Sequence, residues 1–276
     1  MTKLSFKNVA KYYGGKYHQD LALEYLDKAI PPKILEQFTE LWRGKSPEEE
    51  KKPIVVAPTG LRGADPLAQK VVDYYGNKGW RIKKPSHGGY EVLLVGFEGA
   101  TRTGNKTFVT NNDSPTGDNF NDLIGVFLVD KFDQVSTANL YTATTEPGLF
   151  YTRNRLNPAG AARIQIDVLQ RNVWQVGSHK GREEALVQTG GAIMVTRDGN
   201  QDFMRTGDQT MTGYYGINCH SARNSGKIGR WSAGCQVVQM TKDLVSIMNY
   251  VKGGDGYKSN RAFKYDYSCL DAALFV

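Results

Sequence analysis

Tyr214-Tyr-Gly-Ile-Asn-Cys-His-Ser221, a polar glycine-containing loop, and then Gly229-Arg-Trp-Ser-Ala-Gly-Cys-Gln-Val-Val238 form the stretch around which the rest of the chain reads as scaffold. His220 and Cys235 lie fifteen residues apart in it, each at the edge of a short apolar segment. A thiol attacks well only as a thiolate, so it needs a base beside it and donors for the oxyanion that forms. A Gly-Cys step after a tight turn suits that need, because Gly234 lets another backbone approach. Fifteen residues suffice for the chain to fold back and set the His220 strand next to Cys235.

Upstream of this stretch, short apolar runs alternate with turns. Tyr90–Phe97, Leu123–Asp130, Leu140–Thr144, Arg163–Leu169 and Ala192–Thr196 are predicted strands. Residues 111–119, rich in Asn, Asp, Pro and Gly, are a predicted loop. A last helix is expected from Thr241, taken as its N-cap, to about Lys252, with Leu244, Val245, Ile247, Met248 and Val251 on its apolar face.

The N-terminal third has a different texture. Residues 18–43 carry two helical stripes separated by Pro31-Pro32, which predicts a helical hairpin. Gly44–Pro53 is charged and lacks apolar residues, as a linker does. Residues 54–57 suit a short strand. Asp65-Pro66 is an N-cap and N1 pair for a helix over about 66–76, with Leu67, Val71, Val72 and Tyr75 turned inward. The organisation expected is therefore a helical accessory module and linker (1–52), a connecting helical segment (53–87) and a catalytic domain (88–276). The fold class is α+β, mainly β.

The chain has 276 residues and a formal charge of +7. A basic balance favours anionic partners such as nucleic acid, a membrane surface or anionic cell wall. No recognised nucleic-acid motif or basic helix accompanies it, so no nucleic-acid partner is expected. No run approaches the ~20 apolar residues of a membrane span. The first ten residues lack the apolar core of a secretory signal, so the chain is expected to be made in the cytoplasm. Three cysteines, Cys219, Cys235 and Cys269, form no disulfide framework and no zinc pattern. Cys219 is expected to face away from His220 as a core thiol, and Cys269 is read as structural. The segment from Asp198 to Asp208 begins like a calcium loop but has Phe203 at the sixth position and Gln209 at the twelfth. A polar hairpin turn is the better reading, and no metal or cofactor is predicted.

The combination Gly216-Ile-Asn-Cys-His220, Ile228-Gly229 and Ser232-Ala-Gly-Cys235 resembles the active-site motif of the L,D-transpeptidase-like (YkuD) family. Its usual pattern is Ile-His-Gly, a polar loop, then Ser-His-Gly-Cys. Thr142-Ala-Thr-Thr-Glu-Pro-Gly-Leu-Phe-Tyr151 resembles an upstream strand segment of the same family. The resemblance is specific over 214–238 and loose over about 88–252. It implies Cys235 as nucleophile and His220 as base. Ser221 falls where a backbone carbonyl orients the His, and Ser232 and Gly234 fall in the oxyanion turn.

Three positions depart from the pattern: Ala233 replaces the second His, Gln236-Val237 replaces a substrate-binding Arg, and Ser221 replaces a Gly. His179, Arg230, Trp231 and Gln236 are the candidate substrate-binding residues, with His179 a replacement for the missing motif His. Further likeness, in Glu98-Gly99, Asn121-Asp122-Leu123 and Gly177–Gln188, is to a branch of phage and bacterial wall proteins. The function implied is a cysteine acyl-transfer enzyme working on peptidoglycan stem peptides through a thioester, carried on a virion or released at lysis. The N-terminal hairpin would then meet other virion or tail proteins. The alternative is a virion structural or wall-binding protein that keeps the fold with little catalysis.

Overall fold

The computed structural model describes residues 60–111 and 118–276. The hairpin expected at 18–43, its linker, the strand at 54–57 and most of the 111–119 loop lie outside the described residues. The described chain is mainly β, with a few helices and a barrel-like sheet.

In chain order the elements are β1 (Arg62–Gly63), α1 (Pro66–Asn77), β2 (Tyr90–Glu98), β3 (Ala100–Arg102), β4 (Phe108–Thr110), β5 (Asp122–Asp130) and β6 (Gln134–Thr144). Next come α2 (Leu149–Arg153), β7 (Ala161–Ile164), β8 (Val168–His179), β9 (Glu183–Gln188), β10 (Ile193–Asp198) and β11 (Gln209–Gly213). The chain ends with β12 (Cys219–Ser221), β13 (Gln236–Val238), α3 (Thr241–Gly253), α4 (Asp255–Ser259), β14 (Tyr265–Asp271) and a 3₁₀ turn at Ala272–Leu274.

The main sheet runs β1-β6-β13-β12-β9-β8-β14-β2-β5, and β5 pairs back onto β6. That last pairing closes a ring and removes the free edges an open sheet would leave. β7, β10 and β11 make a separate three-stranded antiparallel sheet, and β3 with β4 a small hairpin.

β2 shows why its sequence is an unbroken apolar run. Val92 and Leu94 join one core cluster with Trp174, Tyr267 and the buried face of α3. Leu93, Val95 and Phe97 join a second with Leu67, Val71 and Tyr75 of α1. A strand covered on both faces has no reason to alternate. Gly96 is required there, since a Cβ would meet the Tyr267 hydroxyl at 2.0 Å. Through this second cluster α1 is a wall of the same body as the strands.

Each run predicted among the described residues falls on strand, with differences of detail, while β1, β3, β4, β9 and β11 to β14 lie outside any predicted run. The run Arg163–Leu169 is two strands in different sheets, β7 and β8. The chain turns between them at Asp167, whose φ is +62°. Leu140–Thr144 is only the end of the longer β6. Thr241 opens α3 as its first helical residue rather than capping it; Met240 is the N-cap, and Asn224 Oδ1 accepts from the Thr241 N–H at 3.0 Å. The hydrophobic face of α3 holds Leu244, Ile247, Met248 and Val251, while Val245 is exposed.

Asp65 caps α1 as expected, accepting from the Ala68 N–H at 3.0 Å. It also accepts from the Thr137 N–H (2.8 Å) and hydroxyl (2.7 Å), tying the helix to β6. Burial pushes its carboxyl up, but the bonds from Thr137 and Ala68 win and hold it below the usual carboxylate value. Its contribution is therefore present above about pH 4 and fades as pH falls through the lower folded value. Asp65→Ala is expected to cost about 2–3 kcal/mol at pH 7, a fall in Tm of about 5–10 °C. Thermal melts should show the gap from wild type closing below about pH 4.

Candidate active site

The register of β12 and β13 sets the site. These strands pair in parallel, with Cys219 opposite Gln236, His220 opposite Val237 and Ser221 opposite Val238. Partnered residues present their side chains on one face, and alternate residues share it. Cys235, two before Val237, therefore shares the face of His220. Cys219 and Gln236 share the other. β9 meets β12 with Leu186 opposite Cys219, which puts Ala185 and Glu183 on the His220 face. β8 meets β9 with His179 opposite Glu183, adding His179 to it.

The segment leading into β12 is held before the chemistry begins. The fully buried Trp174 donates from Nε1 to the Ile217 carbonyl at 2.9 Å. Gln188 Oε1 accepts from the N–H groups of Tyr215 (3.0 Å) and Ile217 (3.1 Å). Its backbone N–H donates to Asn218 Oδ1 at 2.9 Å.

The Cys235 turn is held as firmly. Ser232 Oγ accepts from the Gly234 N–H at 3.1 Å and donates to the Cys235 carbonyl at 2.8 Å. The Gly148 N–H donates to the Ser232 carbonyl at 2.9 Å. Gly234 has φ +130°, and a Cβ on it would lie 2.6 Å from the Ala162 carbonyl oxygen, so no other residue fits. The Ile228–Trp231 turn is pinned by Asp118, whose carboxylate accepts from the N–H groups of Gly229 (2.9 Å) and Leu149 (2.9 Å). The Cys235 side chain is partly exposed. Its Sγ accepts from the Asn218 N–H at 3.5 Å and donates to the Gly216 carbonyl at 3.8 Å.

His220 is buried. Its Nδ1 lies 3.0 Å from the Ser221 carbonyl. A carbonyl can only accept, so Nδ1 carries the proton and Nε2 carries the lone pair. Nε2 is buried and has no hydrogen-bond partner. Glu183 Oε1 stands 3.9 Å from Nδ1, and Glu183 Oε2 accepts from Ser221 Oγ at 2.7 Å. The His179 ring stacks on His220 with centroids 4.0 Å apart and planes 13° from parallel.

Burial and the neighbouring His179 push the His220 pKa down to about 4, although the Ser221 carbonyl favours the protonated form. Burial pushes the Cys235 thiol up, against the Asn218 N–H and the Lys180 charge, which favour the thiolate. Both shifts disfavour charge. At neutral pH the resting pair is a thiol and a neutral imidazole, not a thiolate–imidazolium pair.

The structure places Cys235, Ser232 and Gly234 in one turn and links Cys235 through Asn218 to His179, which stacks on His220 beside Ser221; no hydrogen bond joins Cys235 to His220. Arg230 is exposed on the rim, its guanidinium 3.9 Å over the Phe150 ring. Trp231, half-buried, closes the same turn through its N–H to the Ile228 carbonyl. Gln236 is placed differently from its expected role at the substrate. It is fully buried, donating from Nε2 to the Thr145 carbonyl (3.1 Å) and accepting from the Tyr267 hydroxyl (2.6 Å). Its place on the face opposite Cys235 is the physical reason. Cys219 and Cys269 are free thiols in the core.

Glu183 is drawn in by Ser221 and His220. Asn218 and Asp118 were not singled out in the sequence. Glu183 carried no signal of its own, because no strand is predicted over 183–188. Asp118 had none, because it acts through backbone groups far away in sequence. Among the described residues no group of three or more His, Cys, Asp or Glu is placed to hold a metal ion, and no helix is long and apolar enough to cross a membrane. Comparison with family models, with curated proteins and with solved structures returned no match.

Two measurements follow from the neutral pair. Iodoacetamide alkylation of Cys235 should rise about tenfold per pH unit from pH 6 to beyond 8; a plateau below pH 7 would show a preformed thiolate. The depressed His220 value makes the unfolded chain take up the proton first. Stability is then full above about pH 6.5 and is lost as pH falls toward 4, by about 3 kcal/mol. Urea unfolding midpoints of His220→Gln should lack that part of the acid slope.

Proposed function

We propose that this chain is a cysteine acyl-transfer enzyme acting on peptide bonds of peptidoglycan stem peptides. The observation that carries the chemistry is the His220 Nε2 lone pair, fixed by the Ser221 carbonyl and lying on the same sheet face as Cys235. The substrate class rests on the motif resemblance and on the +7 charge, which draws the protein to anionic wall polymers.

The reaction begins when the Cys235 Sγ–H, which at rest points to the Gly216 carbonyl, turns to give its proton to His220 Nε2 as the sulfur attacks the carbonyl carbon. The carbonyl π pair moves onto oxygen. The Gly234 N–H is engaged by Ser232, so the Cys235 amide is the turn donor for that oxyanion. Collapse breaks the C–N bond, and the leaving amine takes its proton from His220 Nε2. A thioester on Cys235 remains. Water attacks it with His220 again as base, releasing the acid and the free thiol; an amine in place of water gives transpeptidation through the same intermediate. We favour hydrolysis, by a virion-borne or lysis enzyme whose N-terminal segment engages other virion or tail proteins.

Purified sacculi incubated with the protein should release new peptide termini. Cys235→Ala and His220→Ala should each lower that release by at least about 10³-fold. Release at the wild-type rate by both variants would overturn the enzyme assignment. Sedimentation of wild type and both variants with sacculi, with no release by any of them, would favour the wall-binding alternative.

A further inference from the structure

We propose that His179 is a positioning residue for His220: clamped by Asn218 and stacked face to face on the base, it locks the plane of the His220 ring. The inference rests on His220 being the base, and it assigns His179 a role other than substrate binding or replacement of the missing motif His.

Asn218 fixes the tautomer of His179. Asn218 Oδ1 accepts from the Gln188 backbone N–H at 2.9 Å. A backbone N–H needs an oxygen opposite it, so the Asn218 amide nitrogen must be the atom facing His179. That Nδ2 lies 3.0 Å from His179 Nδ1. An amide nitrogen only donates, so His179 Nδ1 holds the lone pair and its proton sits on Nε2. His220 has the opposite arrangement, with its proton on Nδ1. Two neutral rings of complementary tautomer therefore lie 4.0 Å apart at 13°. His179 is held at 8 % exposure, so the stack cannot slide without breaking the Asn218 contact. Asn218 also donates its backbone N–H to Cys235 Sγ. One residue thus sets both the nucleophile and the ring that backs the base.

The charges around the pair are mixed. From β8 and the turn after it come His179 and Lys180, which both oppose a proton on His220. From β9 comes the Glu183 carboxylate, 3.9 Å from His220 Nδ1. The Ser221 carbonyl and the Trp231 backbone favour the protonated form, and the Cys235 thiol shares the face. Around His179 itself, burial comes first in holding the ring neutral; Lys180, Arg182 and Arg223 add to it, and Glu183 opposes them. In acid, where His179 would itself carry a charge, removing it leaves the Glu183 carboxylate, so His220 should gain a proton more easily.

The test is ¹⁵N NMR of the imidazole groups in the full chain, with His220 assigned by His220→Gln. In wild type His220 should show one tautomer, protonated at Nδ1, and titrate at about 4. His179→Phe keeps a ring to stack but removes the polar partner. It should keep the single tautomer and raise the His220 titration by roughly one pH unit. His179→Ala removes the ring as well. It should raise the titration and also average the tautomer shifts. An unchanged His220 titration and tautomer in both variants would overturn the proposal. If instead wild type releases nothing from sacculi while these shifts occur, the enzyme assignment fails and the positioning of His220 by His179 stands.

Discussion

Three residues of β12 lying parallel to three of β13 are the constraint on which everything at the site depends. Parallel pairing fixes which side chains share a face, and a slip of one residue would exchange them all. In β13 it would turn Gln236 onto the face of His220 and carry Cys235 to the opposite one. The protein guards the register from both ends. Trp174 and Gln188 hold the backbone before β12; Ser232 and Gly148 hold the turn before β13. Gln236, wedged between the Thr145 carbonyl and the Tyr267 hydroxyl, locks the opposite face. The ring of strands supplies rigid ground for pairings this short.

The same burial that orders the site sets its charge state. His220 and Cys235 are both pushed toward neutrality, so in the proposed reaction the proton moves during attack rather than before it. The lone pair of His220 Nε2 makes no well-formed hydrogen bond inside the protein, although the Trp231 backbone favours a proton on the ring. An unpartnered buried acceptor is costly in a scaffold, and it is what a resting general base requires.

Much of the architecture was legible in the sequence because it depends on local patterns. The apolar run of β2, the Asp65-Pro66 helix start and the stripe of α3 each specify themselves. The split of Arg163–Leu169 was not legible, because a continuous apolar run does not show that its two halves belong to different sheets. At the site, Cys235, His220 and the turn glycine stand out by spacing and by resemblance to a motif. Gln236 shows the limit of that resemblance: occupying a substrate-binding position in the pattern did not tell which face of a three-residue strand it would take. Glu183, Asn218 and Asp118 act through contacts 17 to 111 positions away in sequence, which no local reading brings together.

A covalent intermediate at Cys235 is the most direct consequence of the proposed reaction. The protein would be mixed with solubilised peptidoglycan fragments, quenched in acid within seconds, and digested for mass spectrometry. A stem-peptide acyl group on the Cys235 peptide, removed by neutral hydroxylamine, is the predicted result. New peptide termini formed in the same samples with no adduct on Cys235, or with the adduct on another residue, would contradict it.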